Sequence, residues 1–301
     1  MSIQAVIELA RPKQWIKNLF VLAPLIFSHS FLDSAKLGYS IIAFILFSLA
    51  ASSIYVFNDI FDLDKDRLHP LKKNRPLARG AVRLKEAIFT GIALCVVSIF
   101  FSSVFSLRFL AVILAYMALN FFYTQWLKHI VIVDLFSVAL GFVLRILAGG
   151  IAISVVLSPW IIGATFFIAI FIIASKRFQE FNVVSTAFER GSPFLGRPVL
   201  GLYNKEFLRQ IIFASLILTI VVYVLYAFLE VKNVFFIVTI LPVIYGLFRF
   251  FWLTEYGQIK SDNPTDIIFK DLSLQLAIII FAILVLSIFY LYPDAAGTYV
   301  R

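Results

Sequence analysis

Asn58-Asp59-Ile60-Phe61-Asp62-Leu63-Asp64-Lys65-Asp66-Arg67-Leu68-His69-Pro70-Leu71-Lys72-Lys73-Asn74-Arg75-Pro76-Leu77-Ala78-Arg79-Gly80 is the stretch on which the reading of the fold turns. It follows the uncharged apolar run Leu37–Phe57 and delivers four aspartates, then a train of cations. Continued as a helix at about 100° per residue, Asn58, Asp59, Asp62 and Asp66 fall within an arc of roughly 100°, with Asp64 on the opposite side. Carboxylates this close repel one another unless positive charge sits among them. Hard oxygen donors suit Mg²⁺, which keeps several waters and shares phosphate oxygens. Pro70 and Pro76 stop a helix, so the cations lie on a loop that can fold back over the metal. The pattern predicts a site for a magnesium diphosphate.

The chain around this stretch is that of a membrane protein: 62% of its 301 residues are hydrophobic and 14% charged. Uncharged runs long enough to span occur at Leu37–Phe57, Ala87–Leu107, Phe109–Leu127, Ile211–Leu229 and Leu272–Tyr292. Four more, at about Ile16–Leu32, Ile130–Leu157, Ser158–Ser175 and Val234–Trp252, are interrupted by polar residues or slightly short. The expectation is an all-α integral membrane protein of nine spans, organised as a single domain over residues 1–301. Met1–Trp15 is polar and amphipathic, without a small-residue cleavage site after the first span, and reads as an interfacial lead-in rather than a signal peptide. The single Cys95 lies in an apolar run, which leaves no disulfide framework and no cysteine metal site.

The net charge of +9 is unevenly distributed. Apart from Arg145 inside span 5, every Lys and Arg other than Lys36, Arg108, Lys232 and Arg301 falls in the N-terminal lead or the loops after spans 2, 4, 6 and 8. By the positive-inside rule those segments and the N-terminus are cytoplasmic and the C-terminus is outside. The expected location is the plasma (inner) membrane, with the acid-rich loop on the cytoplasmic side.

Further polar clusters break the apolar pattern. Arg11-Pro12-Lys13-Gln14-Trp15-Ile16-Lys17-Asn18 precedes span 1; Arg11 and Lys13 read as interfacial anchors, whereas Lys17 lies where a charge must face protein or water. Tyr123-Thr124-Gln125-Trp126-Leu127-Lys128-His129 leads to Asp134 after span 4. His129 alone is weak, because histidines beside a lysine at a membrane surface are often only solvated. Asp134 and Arg145 are eleven residues apart, about 20° from alignment and roughly 16 Å along the axis, so they form a polar stripe that must line a cavity or pair with neighbours. The plainer role for Arg145 is to hold helices together through backbone carbonyls. Lys176-Arg177-Phe178-Gln179-Glu180 ends span 6, with Lys176 and Glu180 one turn apart and able to form a simple ion pair. Before span 9, Asp262 reads as a turn residue and Asp266 and Asp271 as helix-start acids.

With these motifs in order, the chain resembles the UbiA-type superfamily of intramembrane prenyltransferases, whose carboxylates after spans 2 and 4 hold Mg²⁺ on a substrate diphosphate. Within it, the chain is similar to the branch of polyprenyl-phosphate phosphoribosyltransferases. The matching pieces are Arg11–Asn18, the Asn58–Asp66 acids with His69-Pro70-Leu71-Lys72 and Arg75-Pro76, Leu127-Lys128-His129 with Asp134, Leu144–Gly150, Lys176–Glu180 and Pro264–Asp266. The aromatic prenyltransferases usually carry a carboxylate four residues after the first acid of the second motif; here Val138 stands at that spacing from Asp134.

The resemblance implies transfer of a phosphoribosyl group from 5-phosphoribosyl-1-diphosphate to a polyprenyl (decaprenyl-type) phosphate, with Mg²⁺ as cofactor. It places Asp59, Asp62 and Asp66 on the metal, with Lys128 among the catalytic groups. Lys17, Asn58, Lys72, Lys73, Arg75, Tyr123, His129, Asp134, Arg145, Lys176 and Arg177 would bind substrate. Partners would be the two substrates and the bilayer, with no nucleic acid; a homo-oligomer stays open. Two alternatives remain: a prenyltransferase moving a prenyl group from a prenyl diphosphate to an aromatic acceptor, and a transporter using Asp134 and Arg145.

Overall fold

The computed structural model describes residues 3–68, 72–189, 198–231, 233–256 and 264–291. His69, Pro70, Lys232, Asp262 and Arg301 lie outside them. The α-helices are α1 (Ile3–Leu9), α2 (Ala23–Phe27), α3 (Ser34–Phe61), α4 (Leu63–Leu68), α5 (Leu84–Phe105), α6 (Leu107–Gln125), α7 (Val133–Ala152), α8 (Pro159–Glu189), α9 (Lys205–Leu225), α10 (Ile240–Glu255), α11 (Pro264–Lys270) and α12 (Leu272–Leu291). Among the described residues, eight helical stretches are long and apolar enough to cross a membrane, against nine expected. Many large apolar side chains point outward, including Phe100, Leu241 and Ile283, which suits a surface solvated by lipid.

The difference from nine lies in the expected first span, Ile16–Leu32. Instead of one long α-helix it forms a 3₁₀ helix over Pro12–Leu22 followed by the short α2. At about 2.0 Å per residue in the first part and 1.5 Å in the second, this segment still reaches roughly 30 Å.

The chain divides into two compact units: residues 1–128 with 141–156, and residues 129–140 with 157–301. In the first, α3 is the central helix. It buries small residues, Ala43, Ala50, Ala51, Ser48, Ser52 and Ser53, which let other backbones approach closely. Val21, Phe47, Phe109, Ile113, Tyr116 and Ala148 complete its core. The lead-in does more than lie at an interface, since Ala5 and Leu9 of α1 pack with Val56, Leu77, Val82 and Ala87.

The 3₁₀ geometry has a physical reason. Arg11 bonds Asp59, Trp15 Nε1 donates to Ser52 Oγ at 2.9 Å, and Asn18 Nδ2 donates to Ser48 Oγ at 3.0 Å. Positions 59, 52 and 48 share one stripe of α3 and span about 16 Å. At about 2.0 Å per residue against 1.5 Å, the 3₁₀ rise brings the spacing of this segment closer to that of its partners on α3 than an α-helix would. Gly149 on α7 permits the contact behind this segment: a Cβ there would lie 2.0 Å from the Val21 carbonyl oxygen.

In the second unit, α8 pairs with α9 and buries Phe171 and Phe178. Tyr223, Tyr226, Phe236 and Phe289 form an aromatic core around the Tyr223–Thr239 hydroxyl pair, 2.7 Å apart. Asp271 is the helix-start acid expected of it: its Oδ1 accepts from Leu274 N–H at 2.8 Å, and its Oδ2 from Arg249 Nη2 at 2.7 Å. The Arg249 bond holds this carboxyl below the usual range.

Candidate active site

The continuous helix through the acids is interrupted. Helix α3 carries Asn58 and Asp59 and ends at Phe61; Asp62 is its C-cap, and α4 restarts the chain with Asp64 and Asp66. Asp59 and Asp66 are both buried at 2% exposure and converge on Arg75. Arg75 Nη1 donates to Asp59 Oδ1 at 3.0 Å and also bonds Asp66 Oδ2. Arg11 bonds the same Asp59 oxygen. Its guanidinium also lies 5.5 Å from the Tyr55 ring centre. Burial lowers the Arg11 pKa, opposed by the charge of Asp59. The second oxygen, Asp59 Oδ2, is buried with no hydrogen-bond partner among the described residues.

Asp62 stands apart, half-buried, with Lys128 Nζ 3.7 Å from its Oδ1. The expected set of three carboxylates on one face is therefore two inward acids and one at the helix end. Among the described residues, no group of three His, Cys, Asp or Glu side chains is gathered closely enough to hold a metal. Asp64 is 96% exposed and faces away, as expected. Asn58 is oriented by Thr124, whose Oγ1 donates to Asn58 Oδ1 at 2.7 Å. Lys72 and Lys73 lie on a short 3₁₀ turn beyond α4, Lys72 half-buried and Lys73 exposed. Lys17 and Tyr123 are half-buried, and His129 is exposed.

Arg145 joins segments through side chains rather than through the backbone carbonyls expected, the Gly141 carbonyl being on its own helix. Its Nη1 donates to Gly141 O, Nε to Asn18 Oδ1 and Nη2 to Tyr116 Oη, at 2.8, 2.8 and 2.9 Å. It also lies within 5.3 Å of the ring centres of Phe47, Tyr116 and Phe142. This encloses the cation with acceptors and aromatic faces, which offsets its cost inside a span.

In the second unit, Asp134 is fully buried and both of its oxygens have partners. Arg177 Nε donates to Oδ2 at 2.9 Å and Tyr203 Oη donates to Oδ1 at 2.5 Å. Burial, followed by the bond to Asp134, raises the Tyr203 pKa and keeps its hydroxyl a donor. Arg177 Nη1 reaches Glu180 Oε2 at 3.1 Å, while the Lys176–Glu180 pair is longer at 4.0 Å. Arg11 and Thr124 in the first unit, and separately Tyr203 in the second, are partners of the predicted residues that the sequence alone did not single out.

An all-helical membrane protein with buried aspartates at the end of a spanning helix, and cations arrayed against them, falls in the class of intramembrane transferases. The chain belongs to the UbiA prenyltransferase family, whose model matches residues 19–274. It is 32% identical to the decaprenyl-phosphate phosphoribosyltransferase of Mycolicibacterium smegmatis over 91% of this chain and 89% of that protein. It is 30% identical to the protein of the same name from Mycobacterium tuberculosis, over 91% and 90% respectively. The fold is shared with a solved UbiA homolog from Archaeoglobus fulgidus bound to GPP and Mg²⁺, at a TM-score of 0.69 and 20% identity, covering 93% of this chain and 96% of that one.

Proposed function

We propose that this protein transfers the 5-phosphoribosyl group from 5-phosphoribosyl-1-diphosphate to a polyprenyl phosphate, releasing pyrophosphate. The observation that carries this reading is similarity along nearly the full length to a decaprenyl-phosphate phosphoribosyltransferase. Val138, in place of a carboxylate four residues after Asp134, supports it against the aromatic prenyltransferases.

The residues suit a divalent cation. Asp59 and Asp66 are buried hard-oxygen donors, and Asp59 Oδ2 has no other partner among the described residues. No three carboxylates are gathered there among the described residues, but Mg²⁺ keeps several waters and takes one or two carboxylates. Asp59 and Asp66 would hold it, with Asp62 joining through a further adjustment, and when bound it would supply charge neutralisation for the diphosphate. Arg11 and Arg75 are close enough to exchange carboxylate oxygens for phosphate oxygens, and arginine's planar fork fits either. Asn58, held by Thr124, orients the donor, and Lys72, Lys73 and Lys128 add point charges around the leaving group.

The acceptor phosphate is already anionic at neutral pH, so no general base is required. One of its oxygens forms the new bond to the ribose anomeric carbon as the bond from that carbon to the diphosphate breaks, and the electron pair leaves on pyrophosphate. Positioning and stabilisation of the departing charge supply the catalysis. The whole chain acts as one domain, with the Pro12–Phe27 segment as a ninth crossing. The acid-rich loop is on the cytoplasmic face of the plasma membrane, and the C-terminus is outside.

The test is transfer by purified protein of radiolabel from ribose-labelled phosphoribosyl diphosphate to polyprenyl phosphate, with Mg²⁺ and with chelator. Label entering the lipid phase only with metal is the expected result. No lipid label, under conditions where a prenyl diphosphate and an aromatic acid do react, would return the protein to prenyl transfer.

A further inference from the structure

Ile132 has a φ of 70°, in the left-handed region that a β-branched side chain resists. Such conformations persist only where the surroundings over-determine them, and they collect at functional sites. The support here is specific. Ile132 N–H donates to Tyr203 Oη at 2.9 Å, and the same hydroxyl donates its proton to Asp134 Oδ1 at 2.5 Å. Arg177 secures the other Asp134 oxygen. Tyr203, Asp134 and Arg177 are all buried, and Tyr203 stacks on Phe207 with ring planes 23° apart. The Ile132 carbonyl accepts from Leu135 and Phe136 N–H groups, both at 3.0 Å, so the strained residue also launches α7.

Three residues before Ile132 is His129, and before that Lys128. The turn therefore sets the direction in which the chain leaves His129. A phenol at position 203 satisfies an amide and a carboxylate together, which phenylalanine cannot do.

We infer that Tyr203 is a positioning residue for the transfer reaction: its hydroxyl holds Ile132 left-handed and thereby fixes how His129, on the same turn, is presented to the phosphorylated substrate. The inference rests on the reading of His129 as a phosphate contact. On this view Asp134 braces Tyr203 and does not itself touch substrate.

The test compares wild type, Tyr203→Phe and the double variant Tyr203→Phe/Ile132→Gly as full-length protein in detergent. It reads hydrogen exchange at the Ile132 amide together with kcat and KM for whichever transfer, phosphoribosyl or prenyl, the wild type catalyses. In Tyr203→Phe, exchange at Ile132 should quicken about tenfold. In the same variant kcat should fall about tenfold, with KM for the lipid acceptor unchanged. Glycine adopts positive φ without support, so the double variant should recover most of the lost kcat. Unchanged exchange, faster exchange with wild-type kcat, or a kcat loss that Ile132→Gly does not restore would each overturn the clamp. An error in the assigned substrate would appear instead in the wild-type reaction.

Discussion

The cluster around Asp59 and the cluster around Asp134 use the same residue types and differ in how fully their charges are satisfied. At Asp59, one carboxylate oxygen takes two arginines while the other has no partner among the described residues, and the arginines keep about a quarter of their side-chain surface exposed, 25% for Arg11 and 27% for Arg75. At Asp134, each oxygen has a partner, and Arg177 is 2% exposed. An unevenly bonded, half-open cluster can trade partners with a ligand. A saturated, closed one holds backbone in place. The first cluster is thus the one suited to receive a ligand, and the second is a brace.

The largest effect that would break this contrast comes at Asp59. Asp59→Asn should reduce turnover by about a thousandfold, because metal-based charge stabilisation is worth several kcal/mol. Its thermal midpoint in detergent should stay near wild type, since Arg11 and Arg75 can turn to water. Retained turnover in both Asp59→Asn and Asp62→Asn would remove the metal assignment.

Arg177→Ala should show the opposite profile. Removing one member of a buried pair strands Asp134, and the loss of stability should be about 3–5 kcal/mol, measured as a lowered denaturant midpoint. Normal stability would mean that Asp134 is satisfied by Tyr203 alone, and the brace would then reduce to one bond. The smallest effect sharpens the boundary of that brace. Lys176→Ala removes the 4.0 Å, partly exposed contact to Glu180 and should change stability by less than about 1 kcal/mol in the same measurement.

Much of this was legible in the residues. Among the described residues, eight of the nine expected spans appear because long apolar runs, five of them uncharged, favour helices in lipid. The polar motifs were legible because charge inside an apolar span or at its end is costly. Arg11 was not, since an anchoring cation and a site cation look alike until the chain folds back along α3. Asp62 was placed with Asp59 and Asp66 because no Gly or Pro marks the end of α3 at Phe61. Tyr203 gave no local signal either: it lies 69 residues from Asp134, and tyrosine is ordinary near a membrane surface. The 3₁₀ backbone of Pro12–Leu22 was hidden because hydropathy reports burial and says little about rise per residue.

That backbone works as a vernier. Its rungs at Arg11, Trp15 and Asn18 are ruled four and three residues apart, against graduations of seven and four on α3, and the two scales coincide only at one setting. Losing a single residue between Trp15 and Asn18 would rotate everything beyond it by about 120° and draw it back by about 2 Å. Asn18 would then miss both Ser48 and Arg145, and the Val21 carbonyl would no longer lie over Gly149. The segment can therefore accept changes of side chain on its outward face while tolerating almost none in its length.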